Sequence, residues 1–261
     1  MPKNHQNPKG SAARQMALMR LGLVPEKMLL PAWLSPSGAR ACEKDEVHVW
    51  RSYLKIPSSQ MEMMRQTLSS DELERADRFH FPQGRAHFIA ARGTLRAILG
   101  RYLHMEPDKV RFRYGPFGKP ALANAADEEM ISFSVSHSNG MAVYAFALNR
   151  KIGVDMEYIS SSPSIAGIAE QFFTPQESLR MRSRPRHIRR KAFFRTWTRN
   201  EAYLKAMGTG FAKTRDIREI NVEGQWSFTD IHIASGYAAC LAVEGQEPGL
   251  QCLQWTGSLN E

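Results

Sequence analysis

Two carboxylates two residues apart, Asp155 and Glu157, are the feature of this sequence that most directly suggests chemistry. They lie in segment 152–159, whose residue types and length predict a β-strand. Because successive side chains of a strand alternate between its faces, both acids share one face, and Val154 and Met156 share the other. Neighbouring acids repel each other unless a cation lies between them, so the pair predicts a divalent metal or a basic partner. The alternative is an edge strand with two solvated acids.

A third acid lies on a predicted helix about forty residues further along the chain. Segment 193–205 is mostly apolar, and Gly208 follows it as a residue suited to end a helix. Trp197, Glu201 and Lys205 are spaced by four residues and therefore lie on one face. A Glu/Lys pair at this spacing is usually a surface ion pair. The neighbouring tryptophan on a mostly apolar helix instead favours a half-buried carboxylate with a function.

The strand predicted over 131–138 alternates apolar residues with serines. His137 falls in line with the apolar side chains, which predicts either a satisfied histidine at the edge of the core or a donor at the mouth of a cleft. Asn139-Gly140 is a strong hairpin signal, so a second strand follows over 141–148. We expect segment 152–159 to be the third strand of this meander, which would place the histidine and the acids in one sheet.

A stiff loop over 114–120 presents Lys119 among glycines and prolines. Proline fixes the backbone and glycine lets a ligand approach closely, so the loop suits binding, although a plain turn explains the same residues. The helix predicted over 85–103 has an apolar stripe at helical spacing. Another face carries three arginines, Arg85, Arg92 and Arg96. They predict either a phosphate-binding stripe or a solvated face.

The remaining patterns are short helices and strands that fall into two similar halves. A strand at 47–50 and helices near 59–68 and from Ser70 precede the helix over 85–103. In the second half, Thr174 to Glu177 form a capping box that starts a short helix. Short strands are predicted at 217–222, 226–228, 231–234 and 237–243. Together these patterns predict an α+β fold in which each half packs helices on a small antiparallel sheet.

The formal net charge of +9 and the pI near 9.6 predict an anionic partner: a nucleic acid, an acidic protein or a phosphorylated small molecule. Three cysteines without metal-like spacing argue against a disulfide framework or a zinc site and favour a reducing, cytoplasmic setting. Neither a membrane-spanning apolar run nor a secretion signal is apparent. Between Arg180 and Arg199 lie nine Lys/Arg and no acid, which predicts a surface for an acidic partner or nucleic acid, or a plain basic helix face.

We divide the chain into four regions. Residues 1–44 carry excess positive charge with recurrent proline and glycine, which predicts a basic, flexible extension; an organelle-targeting peptide is the alternative. Residues 45–159 and 160–250 are predicted as the N-terminal and C-terminal subdomains. A Ser/Pro stretch joins them, and residues 251–261 are expected to form a tail.

Four motifs together resemble those of the Sfp-type 4′-phosphopantetheinyl transferases. They are Gly118-Lys119-Pro120, Phe133-Ser134-Val135-Ser136-His137-Ser138, Gly153-Val154-Asp155-x-Glu157 and Trp197-Thr198-x-x-Glu201-Ala202-x-x-Lys205. The last two are similar to the paired signature of the family. Each motif alone is weak, but their order and spacing over about residues 47–245 are specific.

The resemblance implies a pseudo-two-fold pair of α+β halves with coenzyme A in the cleft between them. Family members transfer the phosphopantetheine arm of coenzyme A to a serine of an apo acyl, peptidyl or polyketide carrier protein and release adenosine 3′,5′-bisphosphate. By similarity, Asp155 and Glu201 ligate Mg²⁺, or Mn²⁺ in its place, and Glu157 does so directly or through water. Asp155, Glu201 and Lys205 are the expected catalytic residues: Glu201 takes the proton of the carrier serine, and Lys205 stabilises charge on the phosphates.

The resemblance also implies a set of residues that bind coenzyme A. His137 is expected to contact the pyrophosphate, whereas Lys119, Pro120 and Ser136 line the nucleotide end. Arg75 and Arg85 are carried over for the 3′-phosphate. The basic segment 180–199 would steer acidic carrier proteins towards the cleft. We expect a monomer with an internal pseudo-dimer, with neither nucleic acid nor a membrane as a partner.

Asn200 departs from the family pattern, which has lysine immediately before the glutamate of the helix motif. Because asparagine cannot supply that positive charge, the alternatives are a slower enzyme, an altered partner surface, or a paralogue that binds coenzyme A or a carrier protein without catalysis. Glu201 and Lys205 are retained, so we expect activity. A basic nucleic-acid-binding protein or Mg²⁺ nuclease is a remote third reading, since the sequence lacks an aromatic-plus-basic RNA motif and a DNA-reading helix.

Overall fold

The computed structural model describes residues 28–35, 42–123, 130–161, 165–209 and 225–257. The strand predicted at 217–222 and most of the N-terminal extension lie outside these residues. The helices and strands are, in chain order, β1 Met28–Leu29, β2 Glu46–Tyr53, α1 Ser58–Gln66, α2 Ser70–Asp77, α3 Pro82–Leu103, β3 Phe112–Tyr114, β4 Pro120–Leu122, β5 Ile131–Ser138, β6 Met141–Leu148, β7 Ile152–Tyr158, α4 Ile165–Phe172, α5 Pro175–Ser183, α6 Arg186–Met207, β8 Trp226–Ile231, β9 Tyr237–Glu244 and β10 Gly249–Gln254.

The helices of the two halves follow one plan. In each half, two short helices lead into a helix of 22 residues, α3 or α6. Both long helices end at a residue in the left-handed region, His104 with φ 49° and Gly208 with φ 68°. This confirms the predicted end at Gly208, although α6 begins earlier than expected. The capping box of Thr174 and Glu177 is also present, since each side chain bonds the other residue's backbone N–H.

Two four-stranded sheets contain most of the strands. The first has the order β10-β2-β6-β5 and the second β1-β8-β9-β7. Within each sheet three neighbouring strands are antiparallel, and one edge strand, β10 or β1, is added in parallel. The predicted α+β class, with small and mainly antiparallel sheets packed on helices, is therefore confirmed.

The predicted meander of three strands is wrong in its last member. The hairpin of β5 and β6 forms at Asn139-Gly140, but β7 pairs with β9 in the second sheet. The reason is that β6 already has a neighbour on each side, with β2 along one edge and β5 along the other. The chain turns at Asn149, which has φ 51°, and carries the two acids into the other sheet.

The sheets pack face to face between two helical layers. Val49 and Val143 of the first sheet and Val154, Met156 and Leu241 of the second belong to one buried cluster. On the outer face of the first sheet, α3 buries its apolar stripe in a separate core. On the outer face of the second sheet, α6 packs along β7 and β9. The apolar periodicity of each element thus selects the layer against which it packs.

Segments near both ends of the chain cross between the halves. In the predicted extension, β1 pairs with β8, whereas Leu34 bonds both Cys252 and Gln254 through the backbone. Residues 251–254, assigned to a tail by the sequence analysis, lie in β10 beside β2, and Leu253 is fully buried. The described parts of both segments therefore contribute to the sheets. None of the described helices has the length and apolarity needed to cross a bilayer.

Candidate active site

The two acid-bearing elements, β7 and α6, lie unusually close together at Gly153. A β-carbon at this position would collide with the carbonyl oxygen of Ala202 and lie 2.5 Å from the backbone nitrogen of Ala206. Glycine alone lets the helix lie directly on the strand. Since Glu201 precedes Ala202 and Lys205 precedes Ala206, this contact brings both side chains to the acids of β7.

The predicted site residues of the two strands and the helix line one cavity of about 250 Å³. Its lining is Val135, Ser136, His137, Asp155, Glu157, Trp197, Glu201 and Lys205. Three elements, β5, β7 and α6, each contribute to it. The expected meeting of the histidine, the acids and the lysine therefore occurs, although the two strands belong to different sheets.

Asp155 is the most buried acid of the cavity, with 3% of its surface exposed. One of its oxygens, Oδ1, accepts hydrogen bonds from Ser136 Oγ at 2.8 Å and Lys205 Nζ at 2.7 Å. The lysine also donates to the Val135 carbonyl at 3.4 Å. Among the described residues, no hydrogen-bond partner faces the other oxygen, Oδ2, which is also buried. The arrangement leaves an acceptor without compensation inside the protein.

The surroundings of Glu201 and Glu157 also disfavour the charged forms of these acids. Burial, assisted by the charges of Asp155 and Glu157 and opposed by Lys205, raises the pKa of Glu201 to about 7. Burial, followed by the charge of Asp155, also raises the pKa of Glu157. Its oxygen Oε2 accepts a hydrogen bond from Ser138 Oγ at 2.9 Å. Three acids and one lysine leave an excess of negative charge that an added cation would relieve.

The donor set fits a hard divalent cation. Magnesium in proteins is typically bound by one or two carboxylates together with substrate phosphates and water. Two buried acid oxygens here, Asp155 Oδ2 and Glu201 Oε1, have no hydrogen-bond partner among the described residues. In that part of the chain no three His, Cys, Asp or Glu side chains are grouped closely enough to form a metal centre by themselves. Lys205 Nζ instead bonds Asp155 Oδ1 and provides the positive charge.

His137 lies where positive groups converge. Its side chain is exposed to solvent, but partial desolvation in the cavity lowers its pKa, and the charges of Lys205, His87 and Arg75 lower it further. Arg75 does not line the cavity, and its guanidinium lies 5.4 Å from the centre of the Phe88 ring. A neutral imidazole among cations is suited to donate a hydrogen bond to a phosphate oxygen.

The other predicted coenzyme A residues lie outside the lining of the cavity. Lys119 Nζ donates to the carbonyls of Ile152 and Ala206, each at 3.1 Å, and burial lowers its pKa to about 8. The loop is thereby tied to the last turn of α6, and Pro120 begins β4 opposite Tyr114. Arg85 forms an exposed ion pair with Asp77 at 2.6 Å.

Arg92 and Arg96 are neither a phosphate stripe nor a solvated face. Both are buried, and their Nε atoms lie 3.2 Å and 2.7 Å from the carboxylate oxygens of Glu72. Arg96 also donates to the carbonyls of Pro107 and Val110. The periodicity of α3 alone does not indicate this pairing, because Glu72 lies on the neighbouring helix α2.

A second cavity of about 420 Å³ adjoins the first and shares Glu157 and Trp197 with it. Its other lining residues are Ser138, Asn139, Tyr158, Ser160, Ile168, Phe193 and Phe194. The aromatic side chains favour an uncharged group beside the acids.

Two family models cover most of the described chain. A model for the 4′-phosphopantetheinyl transferase superfamily matches residues 151–242, and one for the 4′-phosphopantetheinyl transferase N-terminal region matches residues 55–148. The 4′-phosphopantetheinyl transferase HetI of Nostoc sp. is 40% identical over 227 residues, which are 84% of this chain and 96% of that protein. The chain belongs to the 4′-phosphopantetheinyl transferase superfamily. It is therefore an enzyme that transfers the phosphopantetheine group of coenzyme A to carrier proteins.

More distant members of the superfamily are also similar to this transferase. The 4′-phosphopantetheinyl transferase ffp of Bacillus subtilis is 25% identical over 170 residues, which are 64% of this chain and 73% of that protein. The L-aminoadipate-semialdehyde dehydrogenase-phosphopantetheinyl transferase of Mus musculus is 26% identical over 190 residues, which are 69% of this chain and 60% of that protein.

Sequence reasoning missed two contributors to the site of this transferase. Ser138 bonds Glu157, and Gly153 sets the approach of α6. Both were visible as part of a motif. The alternating serines of β5 indicated a polar face but not the strand that they bond, and glycine in a strand signals a close backbone approach without naming the neighbour.

Proposed function

We propose that this transferase works with Mg²⁺, held by Asp155, Glu157 and Glu201, and that the cavity between β5, β7 and α6 is its catalytic centre. The observation that carries the proposal is the meeting of three acids, Lys205 and His137 around one cavity. When bound, the metal ion supplies positive charge that offsets the charge of the acids and of the coenzyme A phosphates. Mn²⁺ has the same preference for oxygen ligands.

Glu201 is the base in this proposal. The hydroxyl proton of the carrier serine passes to its carboxylate while the serine oxygen bonds to the phosphorus that bears the pantetheine arm. The bond from that phosphorus to the bridging oxygen breaks, and adenosine 3′,5′-bisphosphate leaves. Burial and neighbouring acids raise the pKa of Glu201 to about 7, which suits a base near neutral pH.

The cationic side of the cleft binds the phosphates. His137 donates to the pyrophosphate, and Lys205 stabilises the charge that develops during displacement. Ser136, Lys119 and Pro120 line the nucleotide end. Because the amine of Lys119 already bonds two carbonyls, the loop contributes through its backbone. Of the two arginines proposed for the 3′-phosphate, Arg75 is the better candidate, since Arg85 is already paired with Asp77.

The carrier protein docks beside the second cavity. Arg180, Arg182, Arg184 and Arg186 on α5 and at the start of α6 are exposed. Such a surface steers an acidic partner in a salt-dependent way. In our proposal acyl and peptidyl carriers are therefore the partners, rather than nucleic acid. The enzyme acts as a monomer, because both halves of the cleft lie in one chain. It acts in the cytoplasm, which agrees with three buried cysteines that form no disulfide bond.

Intact-mass spectrometry of apo acyl and peptidyl carrier proteins tests the proposal. We expect the carrier serine to gain one phosphopantetheine arm when incubated with the enzyme, coenzyme A and Mg²⁺. The gain should disappear with Glu201→Gln or without divalent metal, and should persist with Glu170→Gln, a change to an exposed glutamate. Transfer that survives both complete metal removal and Glu201→Gln would contradict it.

A further inference from the structure

Three serines of β5 connect the two four-stranded sheets beside the proposed catalytic centre. The backbone of β5 pairs with β6 and that of β7 pairs with β9, yet the two strands lie next to each other. Ser134 Oγ accepts a hydrogen bond from Val154 N at 3.0 Å, and Ser138 Oγ accepts one from Tyr158 N at 3.1 Å. Side-chain hydroxyls thus satisfy N–H groups that a neighbouring strand would otherwise satisfy.

The members of this serine row differ in one respect. Ser138 also donates its hydroxyl hydrogen to Glu157 Oε2 at 2.9 Å, whereas the hydroxyl of Ser134 bonds the backbone of β7 and not one of its acids. Ser136 bonds Asp155, which Lys205 also holds. Ser134 and Ser138 therefore make the same kind of backbone bond, but only Ser138 touches a carboxylate.

The geometry of this bond fixes the direction of Glu157. A serine hydroxyl has one hydrogen to donate, and the bond from Tyr158 N orients its oxygen. Holding Oε2 in place settles where the second oxygen of the carboxylate points. Glutamate otherwise has three freely rotating side-chain bonds, and ordering them at the moment of binding costs free energy.

We propose that Ser138 is a positioning residue that pre-orients Glu157 towards the cation. The inference rests on the proposed function, in which Glu157 is one of three acids that hold the metal ion. Groups that hydrogen-bond to metal ligands typically change metal affinity by about 10-fold or more when removed.

Binding of Mn²⁺ to the full-length protein, followed by electron paramagnetic resonance of the free ion, tests this directly. Ser138→Ala should weaken Mn²⁺ binding by about 10-fold. Ser134→Ala is the matched control, since it removes the same kind of backbone hydrogen bond between the same two strands, and Ser134 bonds no acid. This variant should leave the Mn²⁺ affinity unchanged. Ser138→Thr keeps the hydroxyl on a β-branched residue suited to a strand and should restore the affinity.

Kinetics and coenzyme A binding separate positioning from other roles. For Ser138→Ala we expect a higher Mg²⁺ concentration at half-maximal rate, while binding of coenzyme A in chelator stays at the wild-type value. Equal loss of Mn²⁺ affinity in Ser134→Ala and Ser138→Ala would show that Ser138 acts only by bonding β5 to β7, and would overturn the proposal. Wild-type affinity in Ser138→Ala would also overturn it.

The proposed function fails in a different way. If the wild-type protein and Glu201→Gln bind Mn²⁺ equally, the acids do not form the metal site, and the assignment of Ser138 falls with it. If the wild type binds Mn²⁺ and Glu201→Gln does not, the metal site stands, and the serine variants alone decide the role of Ser138.

Discussion

Two clusters of acidic residues in the transferase, one around Glu72 and one in the cavity, differ in how their charges are balanced. In the first half, Glu72 has an arginine at each carboxylate oxygen and is 1% exposed. In the cavity, Asp155, Glu157 and Glu201 have one lysine in hydrogen-bond contact. The first arrangement balances the charge of Glu72 with two arginines, although its buried oxygen Oε1 makes no hydrogen bond among the described residues. The second holds an excess of negative charge and leaves buried oxygens without partners, as expected for a group that acts on a substrate.

The comparison predicts that changing the two kinds of acid will produce opposite results. Removing an acid from the balanced cluster should damage folding. Removing one from the cavity should damage catalysis and leave stability intact or improved, since it relieves repulsion among the remaining acids.

The largest effect is expected for Glu201→Gln. It should lower kcat for carrier modification by about 10,000-fold, or about 5.5 kcal/mol in the activation free energy, because it removes the proposed base and a proposed metal ligand together. The melting temperature without metal should not fall, since glutamine carries no charge for Asp155 to repel. Rate measurements by mass spectrometry and thermal unfolding at pH 8 check both parts. If Glu201→Gln is poorly folded as well as inactive, the expected difference between the cavity acids and Glu72 is contradicted.

For Glu72→Ala we expect a loss of about 3–5 kcal/mol in the free energy of unfolding, because Arg92 and Arg96 are left buried without their partner. Urea unfolding measures it. Glu74→Ala is the control, since Glu74 is exposed on the same helix and should change stability by less than about 0.5 kcal/mol. A kcat well below the wild-type value in folded Glu72→Ala protein would show that this cluster serves catalysis as well.

Lys119 is an intermediate case, a half-buried cation that donates to carbonyls. Burial lowers its pKa from 10.5 to about 8, so between these values the unfolded chain binds more protons than the folded one. Stability contributed through this group therefore rises with pH from about 8 to 10.5. We expect wild type to gain stability over this range relative to Lys119→Met, measured by urea unfolding at several pH values. Parallel pH curves would contradict the expectation.

The smallest effect is expected for Asn200→Lys, which supplies the residue typical of the family. Because Glu201 and Lys205 are unchanged, kcat should change by less than about 10-fold. Steady-state kinetics with one carrier protein is sufficient to measure it. An inactive wild type beside an active Asn200→Lys variant would show that this chain is a binding paralogue.

Local patterns predicted what depends on neighbouring residues in sequence. The alternation of β5, the capping box at Thr174 and the end of α6 at Gly208 all follow from short-range physics, and the structure has each of them. The spacing of Glu201 and Lys205 placed them on one helix face, and both line the cavity. The motifs shared with the family indicated that β5, β7 and α6 contribute to one site, and all three line the cavity.

Long-range pairing could not be predicted in this way. Strand β7 joined the second sheet because both edges of β6 were occupied, and β2 is distant in sequence. The burial of Arg92 and Arg96 depends on Glu72 in another helix, so the periodicity of α3 gave no sign of it. Hydrophobic pattern states which face is buried and not which partner covers it.

Strand β10 has a consequence for how the protein is made. It completes the sheet that β2 begins, and Leu253 and Trp255 enter the core beneath α3. A nascent chain therefore exposes the open edge of β2 on the ribosome until almost the whole second half has been synthesised. The two halves of the transferase mature together, and a cut between them would leave neither half with all the strands of its sheet.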